Sequence, residues 1–175
     1  MPLRVLIVDD SSLFRKLLRD AMATFPQVSA VSVDSGTRAL DTLAKDQIDL
    51  VFLDIHMPEI DGVETLRRIK ARFPQVMVIM VSGISTRSGS TTIEALQLGA
   101  LDFIRKPEGV DFAASMDHLI ADLKPIMRMA EIRLQTRAIR SGVPQPITPA
   151  LAPKSSLSVP PPFLFSVVAL GVSTG

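Results

Sequence analysis

Leu50-Val51-Phe52-Leu53 is an unbroken apolar run that closes on a carboxylate, Asp54. A run of that length, bounded by polar residues, reads as a strand buried on both faces. Ile55-His56-Met57-Pro58-Glu59-Ile60-Asp61-Gly62 follows, and then Val63, Leu66 and Ile69 recur at helical spacing. Strand, loop and helix in that order form half of a βαβ unit. In open parallel sheets, ligands bind beyond the carboxyl ends of the strands, and Asp54 stands at such an end.

The same unit recurs along the chain. Arg4–Val8 is a first buried strand stopped by Asp9-Asp10, and Ser11 or Ser12 can cap the helix that follows. Leu13, Phe14, Leu17, Leu18, Ala21, Met22 and Phe25 are expected on its buried face, with Pro26 ending it. Val28–Val33 alternates apolar with small residues, as a strand nearer a sheet edge does. A helix over Gly36–Leu43 comes next. After the central unit come a strand over Val76–Val81 and a helix over Thr91–Leu98, with Gly99 at its C′ position. A last strand, Leu101–Ile104, runs into Arg105-Lys106-Pro107, and a long helical pattern starts near Asp111. Pro125 is expected to kink that pattern, which continues weakly to Ile139. Five strands alternating with helices predict an α/β fold, a five-stranded parallel sheet with helices on both faces.

Composition narrows the class. The chain is 47% hydrophobic with a mean hydropathy of +0.32, enough for a sizeable core. A formal net charge of +1 gives no electrostatic case for nucleic acid. With no cysteine, disulfides and thiolate metal sites are excluded. The N-terminus reaches Asp9-Asp10 too soon for a signal peptide. The longest apolar run, Phe163–Val172, falls well short of the roughly 20 residues of a membrane helix. A cytoplasmic protein without membrane insertion is expected.

Four strands end in reactive side chains: Asp9 and Asp10, Asp54, Ser82, and Lys106. Each alone has an ordinary reading as a cap, turn or loop residue. Together, a parallel sheet gathers them into one crevice. Three carboxylates crowded there repel unless a cation compensates, and all-oxygen ligands favour Mg²⁺. Lys106 adds a fixed positive charge suited to a phosphoryl group, Asp54 can serve as nucleophile, and the Ser82 hydroxyl can bond a phosphoryl oxygen. His56 and His118 fall in unrelated segments, which argues against zinc. Met77, Met80, Met116 and Met127 read as core filler rather than a cofactor box.

These residues resemble the receiver domain of bacterial two-component response regulators. The resemblance covers about Pro2 to Lys124. It rests on Asp9-Asp10, on Asp54 with Met57-Pro58 and Asp61-Gly62, on Ser82, on Leu98-Gly99-Ala100-Leu101-Asp102-Phe103, and on Lys106-Pro107. It implies a flavodoxin-like strand order 2-1-3-4-5, with Asp54 accepting phosphate from a histidine kinase. It implies Mg²⁺ ligation by Asp10 and Asp54, by Asp9 partly through water, and by the backbone carbonyl of His56. It makes Ser82 the switch hydroxyl, Phe103 the aromatic switch and Lys106 a phosphoryl contact, and it implies a Lys106–Pro107 bond that is often cis.

The segment after the last helix changes character. Residues 141–162 hold seven of the 13 prolines and read as a linker. Residues 163–175 read as the first strand of a second α/β domain, closing on Gly171-Val172-Ser173-Thr174-Gly175. This Gly-x-Ser-x-Gly has nucleophile-elbow spacing, although such a turn is as often a phosphate site or plain structure. The Ser/Thr/Gly-rich loop from Ser82 to Thr92, the linker and this segment resemble chemotaxis protein-glutamate methylesterases (protein-glutamine glutaminases). The resemblance implies a receiver over residues 1–124, its last helix reaching as far as 140, and Ser173 as the esterase nucleophile. It implies that the unphosphorylated receiver covers the catalytic site through its fourth helix, fifth strand and fifth helix. The partners it implies are a chemotaxis histidine kinase and methylated chemoreceptors. The family's catalytic His and Asp do not occur in the residues up to Gly175, so these residues alone are expected to lack esterase activity. The alternatives are the receiver of a DNA-binding regulator and a stand-alone receiver acting by protein contacts.

Overall fold

The computed structural model describes residues 2–83, 89–107 and 112–140. The linker, Ser173 and the middle of the Ser/Thr/Gly-rich loop lie outside the described residues. In chain order the elements are β1 (Leu3–Val8), α1 (Ser12–Met22), β2 (Val28–Val33), α2 (Gly36–Lys45), β3 (Leu50–Asp54), α3 (Gly62–Arg72), β4 (Met77–Ser82), α4 (Gly89–Gln97), β5 (Asp102–Arg105) and α5 (Phe112–Arg140). All neighbouring strands run parallel, in the order β2-β1-β3-β4-β5. Fold class and strand order agree with the sequence reading, and β2 is an edge strand.

Alternation along the strands divides the core in two. Val5 and Ile7 of β1, Phe52 of β3 and Ile79 of β4 face α1 and α5. Leu6 and Val8, Val51 and Leu53, and Val78 and Met80 face α2, α3 and α4. β3 and β4 are buried at every residue, which explains why they read as continuous apolar runs. Met77, Met80 and Met127 are buried in these clusters and Met116 packs against one, as core-filling methionines should.

The helix ends follow local chemistry. Ser11, Ser35 and Asp61 accept the backbone N–H of Phe14, Arg38 and Glu64 respectively, each satisfying one donor of a helix's first turn. Gly99 has φ +99°, and the N–H groups of Gly99 and Ala100 bond Leu96 O and Ala95 O. That pair of bonds is the Schellman stop expected for a C′ glycine.

Two expectations change. Leu13 is 68% exposed rather than buried. At 100° per residue it lies about 110° from the centre of the face formed by Phe14, Leu17, Leu18, Ala21 and Met22. Phe25 packs on the core from the turn after α1, which ends at Met22, before Pro26 is reached. As the pattern to Ile139 predicted, α5 continues through Pro125, to Arg140. Beneath it Leu119, Leu123, Ile126, Met127 and Ala130 are all buried, and packing of that apolar face holds a helix that propensity alone would interrupt. Among the described residues, no helix is long and apolar enough to cross a membrane.

Leu13 and Leu18 of α1 give a direct check. Leu18→Ala should cost about 2–5 kcal/mol, because Leu18 is fully buried. Leu13→Ala should stay within about 0.5 kcal/mol. Urea unfolding of both variants measures this, and equal losses would contradict the orientation of α1.

Candidate functional site

Strand order reverses between β1 and β3, and in a sheet of this kind the crevice lies there. Asp9 follows β1 directly and Asp54 closes β3; they are 1% and 2% exposed. Asp10 is exposed. One carboxylate oxygen from each of the three comes within 4.8 Å of the others. From beyond β5, Lys106 reaches back across the sheet. Its Nζ lies 2.7 Å from Asp9 Oδ2 and 2.9 Å from Asp54 Oδ2. Its backbone is anchored by Lys106 N–H donating to Ser82 O at 2.9 Å. The four strand ends singled out in the sequence therefore belong to one locality.

The charges do not balance. Among the described residues, three carboxylates face one ammonium, an excess of acidic groups. Burial raises the carboxyl of Asp9 above its ordinary range, and repulsion from Asp54 adds to this; the bond to Lys106 opposes both. For Lys106, burial pulls the ammonium down, but bonds to Asp54 and Asp9 outweigh it, and the group titrates above its usual value. Asp9 Oδ1 accepts the Ser11 N–H at 2.8 Å. Asp9 Oδ2 pairs with Lys106 at 2.7 Å, and Ser82 Oγ, fully buried, has no hydrogen-bond partner among the described residues. A buried hydroxyl left open in this way is costly unless a ligand completes it. An all-oxygen donor set with excess negative charge fits a hard divalent cation such as Mg²⁺.

The loop carrying the cleft's far wall depends on Gly62. A Cβ there would sit 2.0 Å from Asp54 O and 2.8 Å from Ile55 Cα. The Gly62 N–H donates to Ile55 O at 2.8 Å. Gly62 thus serves close approach of α3 to the backbone of Asp54, not an unusual φ. The strained residue of the loop is Glu59, at φ 67°, bridged by Ile60 N–H to Pro58 O at 2.9 Å.

Other expected residues fall as follows. His56 has an exposed side chain just beyond Asp54, and His118 is exposed on α5, apart from the cluster. Phe103 is half-buried on β5 against the α2–α4 core. The resemblance implied a bond at Lys106–Pro107 that is often cis; no cis peptide occurs among the described residues, so here it is trans, the lower-energy isomer. Sequence reasoning missed two residues of α1. The Phe14 ring centroid lies 5.1 Å from Lys106 Nζ, within cation–π range. Arg15 Nη1 donates to Asp9 O at 2.7 Å and Asp10 O at 3.0 Å. Phe14 had read only as a core residue, and no spacing rule marks an arginine as a donor to carbonyls five and six residues behind it.

With this geometry in hand, residues 5–116 match the family model of the response regulator receiver domain. The chain belongs to that family. The response regulator domain of Thermotoga maritima CheB is 34% identical, with a TM-score of 0.62 over 73% of this chain and 98% of that one. A putative LuxO repressor receiver from Vibrio parahaemolyticus, 22% identical with a TM-score of 0.65, shares the fold. Among curated relatives, a protein-glutamate methylesterase/protein-glutamine glutaminase of Nocardioides sp. is 34% identical over 99% of this chain and 48% of its own length. One from Symbiobacterium thermophilum is 38% identical over 85% of this chain and 41% of its own. This receiver chain thus spans about half the length, or less, of the curated relatives it matches.

Gly62→Ala tests the loop geometry. The clashing atoms are backbone and cannot rotate away, so the receiver should lose about 1–3 kcal/mol. Chemical denaturation of the variant measures this, and unchanged stability would show that α3 does not approach Asp54 so closely.

Proposed function

We propose that this receiver is the phosphoacceptor regulatory domain of a two-component chemotaxis response regulator, with Asp54 as the phosphorylated residue. The observation that carries the reading is the pairing of buried Asp54 with Lys106 inside the Asp9–Asp10–Asp54 cluster, beside the unpartnered Ser82 hydroxyl. The phosphodonor is the phosphohistidine of a histidine kinase. A carboxylate oxygen of Asp54 attacks phosphorus, the P–N bond breaks, and the donor imidazole leaves with the electron pair. Asp9, Asp10, Asp54 and the backbone carbonyl of His56 are the proposed holders of Mg²⁺, which when bound supplies charge neutralisation for the phosphoryl oxygens.

The chain's own groups do the rest. Lys106 exchanges its contact with Asp54 for the phosphoryl oxygen that Asp54 acquires. Ser82 moves its hydroxyl onto another phosphoryl oxygen, and Phe103 follows by changing rotamer. Residues 1–124 form the receiver, with its last helix continued to 140, 141–162 the linker, and 163–175 the start of a catalytic domain with Ser173 as nucleophile. Phosphorylation then controls hydrolysis of glutamyl methyl esters, and deamidation of glutamines, on chemoreceptors. The names of the curated relatives support this assignment over a DNA-binding or stand-alone receiver. A cytoplasmic setting follows from the kinase partner.

Incubation with Mg²⁺ and a small acyl phosphate should give an acid-stable, base-labile adduct, and Asp54→Asn should abolish it. Labelling of Asp54→Asn at the wild-type level would remove Asp54 from the role.

A further inference from the structure

Arg15 is not among the buried apolar residues of α1. It is half-buried and so not a solvated surface cation, and no acidic partner for it occurs among the described residues. Its Nη1 instead bonds two successive carbonyls, Asp9 O at 2.7 Å and Asp10 O at 3.0 Å. In an extended strand, successive carbonyls point to opposite sides. A single nitrogen can bond both only where the strand turns, so these two bonds fix the turn at which β1 ends. That turn sets the direction of the two carboxylates: Asp9 inward, where its Oδ1 meets the Ser11 N–H, and Asp10 toward solvent.

We propose that Arg15 is a positioning residue for the divalent cation: it acts through the backbone of Asp9 and Asp10 and holds their carboxylates in ligating geometry. The inference rests on the Asp9–Asp10–Asp54 cluster being the Mg²⁺ site. Bonds from a guanidinium to carbonyl oxygens are charge-assisted and stronger than neutral ones. They engage no carboxylate oxygen of the diacid.

The proposal separates cleanly from a charge effect, because the two have opposite signs. As a bare cation beside the cleft, Arg15 would repel Mg²⁺, and its removal would tighten binding. As a clamp on the ligand-bearing backbone, its removal must weaken binding, as loss of an outer partner of a metal ligand does.

The experiment is a calorimetric titration of the full chain with MgCl₂, comparing wild type, Arg15→Met and Arg15→Lys, each checked for folding by circular dichroism and thermal melting. Arg15→Met should bind Mg²⁺ about tenfold more weakly. Arg15→Lys, which keeps one flexible donor and the charge, should recover part of that loss. Labelling of Arg15→Met by a small acyl phosphate should return to the wild-type maximal rate when Mg²⁺ is raised, since the loss lies in metal affinity. Equal or tighter Mg²⁺ binding by folded Arg15→Met overturns the proposal, as does a labelling loss that saturating Mg²⁺ leaves in place. A wild-type chain that binds no Mg²⁺ overturns it as well. If wild type binds Mg²⁺ but Asp54 takes no phosphate, the phosphoacceptor reading fails while the titration still decides the role of Arg15.

Discussion

Asp9 and Asp54 are almost fully buried at adjacent strand ends, with only one ammonium between them. Such an arrangement is electrostatically costly, since each carboxylate is desolvated and repels its neighbour. Lys106 offsets part of the cost, and a divalent cation is the natural complement for the rest. Much of the surrounding architecture serves to hold this arrangement in place. The parallel sheet brings the ends of β1 and β3 side by side, β5 sends Lys106 across them, and Gly62 lets α3 close against the backbone of Asp54.

The same imbalance makes the cleft responsive. Lys106 is shared between two carboxylates, and the buried Ser82 hydroxyl has no hydrogen-bond partner among the described residues. Under the proposed function, a phosphoryl group on Asp54 is the partner both groups would take. A site already satisfied would gain nothing from modification, whereas this one has differential contacts to offer a second state. The residues behind the cleft are of another kind. Phe14 and Arg15 extend from the first turn of α1 and touch Lys106 and the diacid backbone, which ties the site to the α1–α5 half of the core.

The elements that read most clearly in the sequence were those with one dominant physical cause. β3 and β4 are buried on both faces, so their apolar runs are unbroken. Gly99 was legible as a helix stop because only a residue tolerant of positive φ fits there. Readings failed where tertiary context governed. Leu13 has the composition of a core residue, but its angle on α1 turns it to solvent. Phe25 sits at helical spacing from the buried face of α1, but the helix ends at Met22 and the ring packs on the core from the turn.

By itself, the sequence determined the order of strands and helices, the parallel sheet, and the identity of the acids, hydroxyl and lysine at the strand ends. Periodicity and strand-end placement are local properties that composition and spacing encode directly. Only the tertiary structure decided how those groups meet: that Lys106 bridges Asp9 to Asp54, that Ser82 is without a partner among the described residues, that Gly62 is needed for its missing Cβ, and that Arg15 grips two consecutive carbonyls. Such contacts depend on distances between segments far apart in the chain, or on the direction of a carbonyl at a turn, and neither leaves a periodic mark in the sequence.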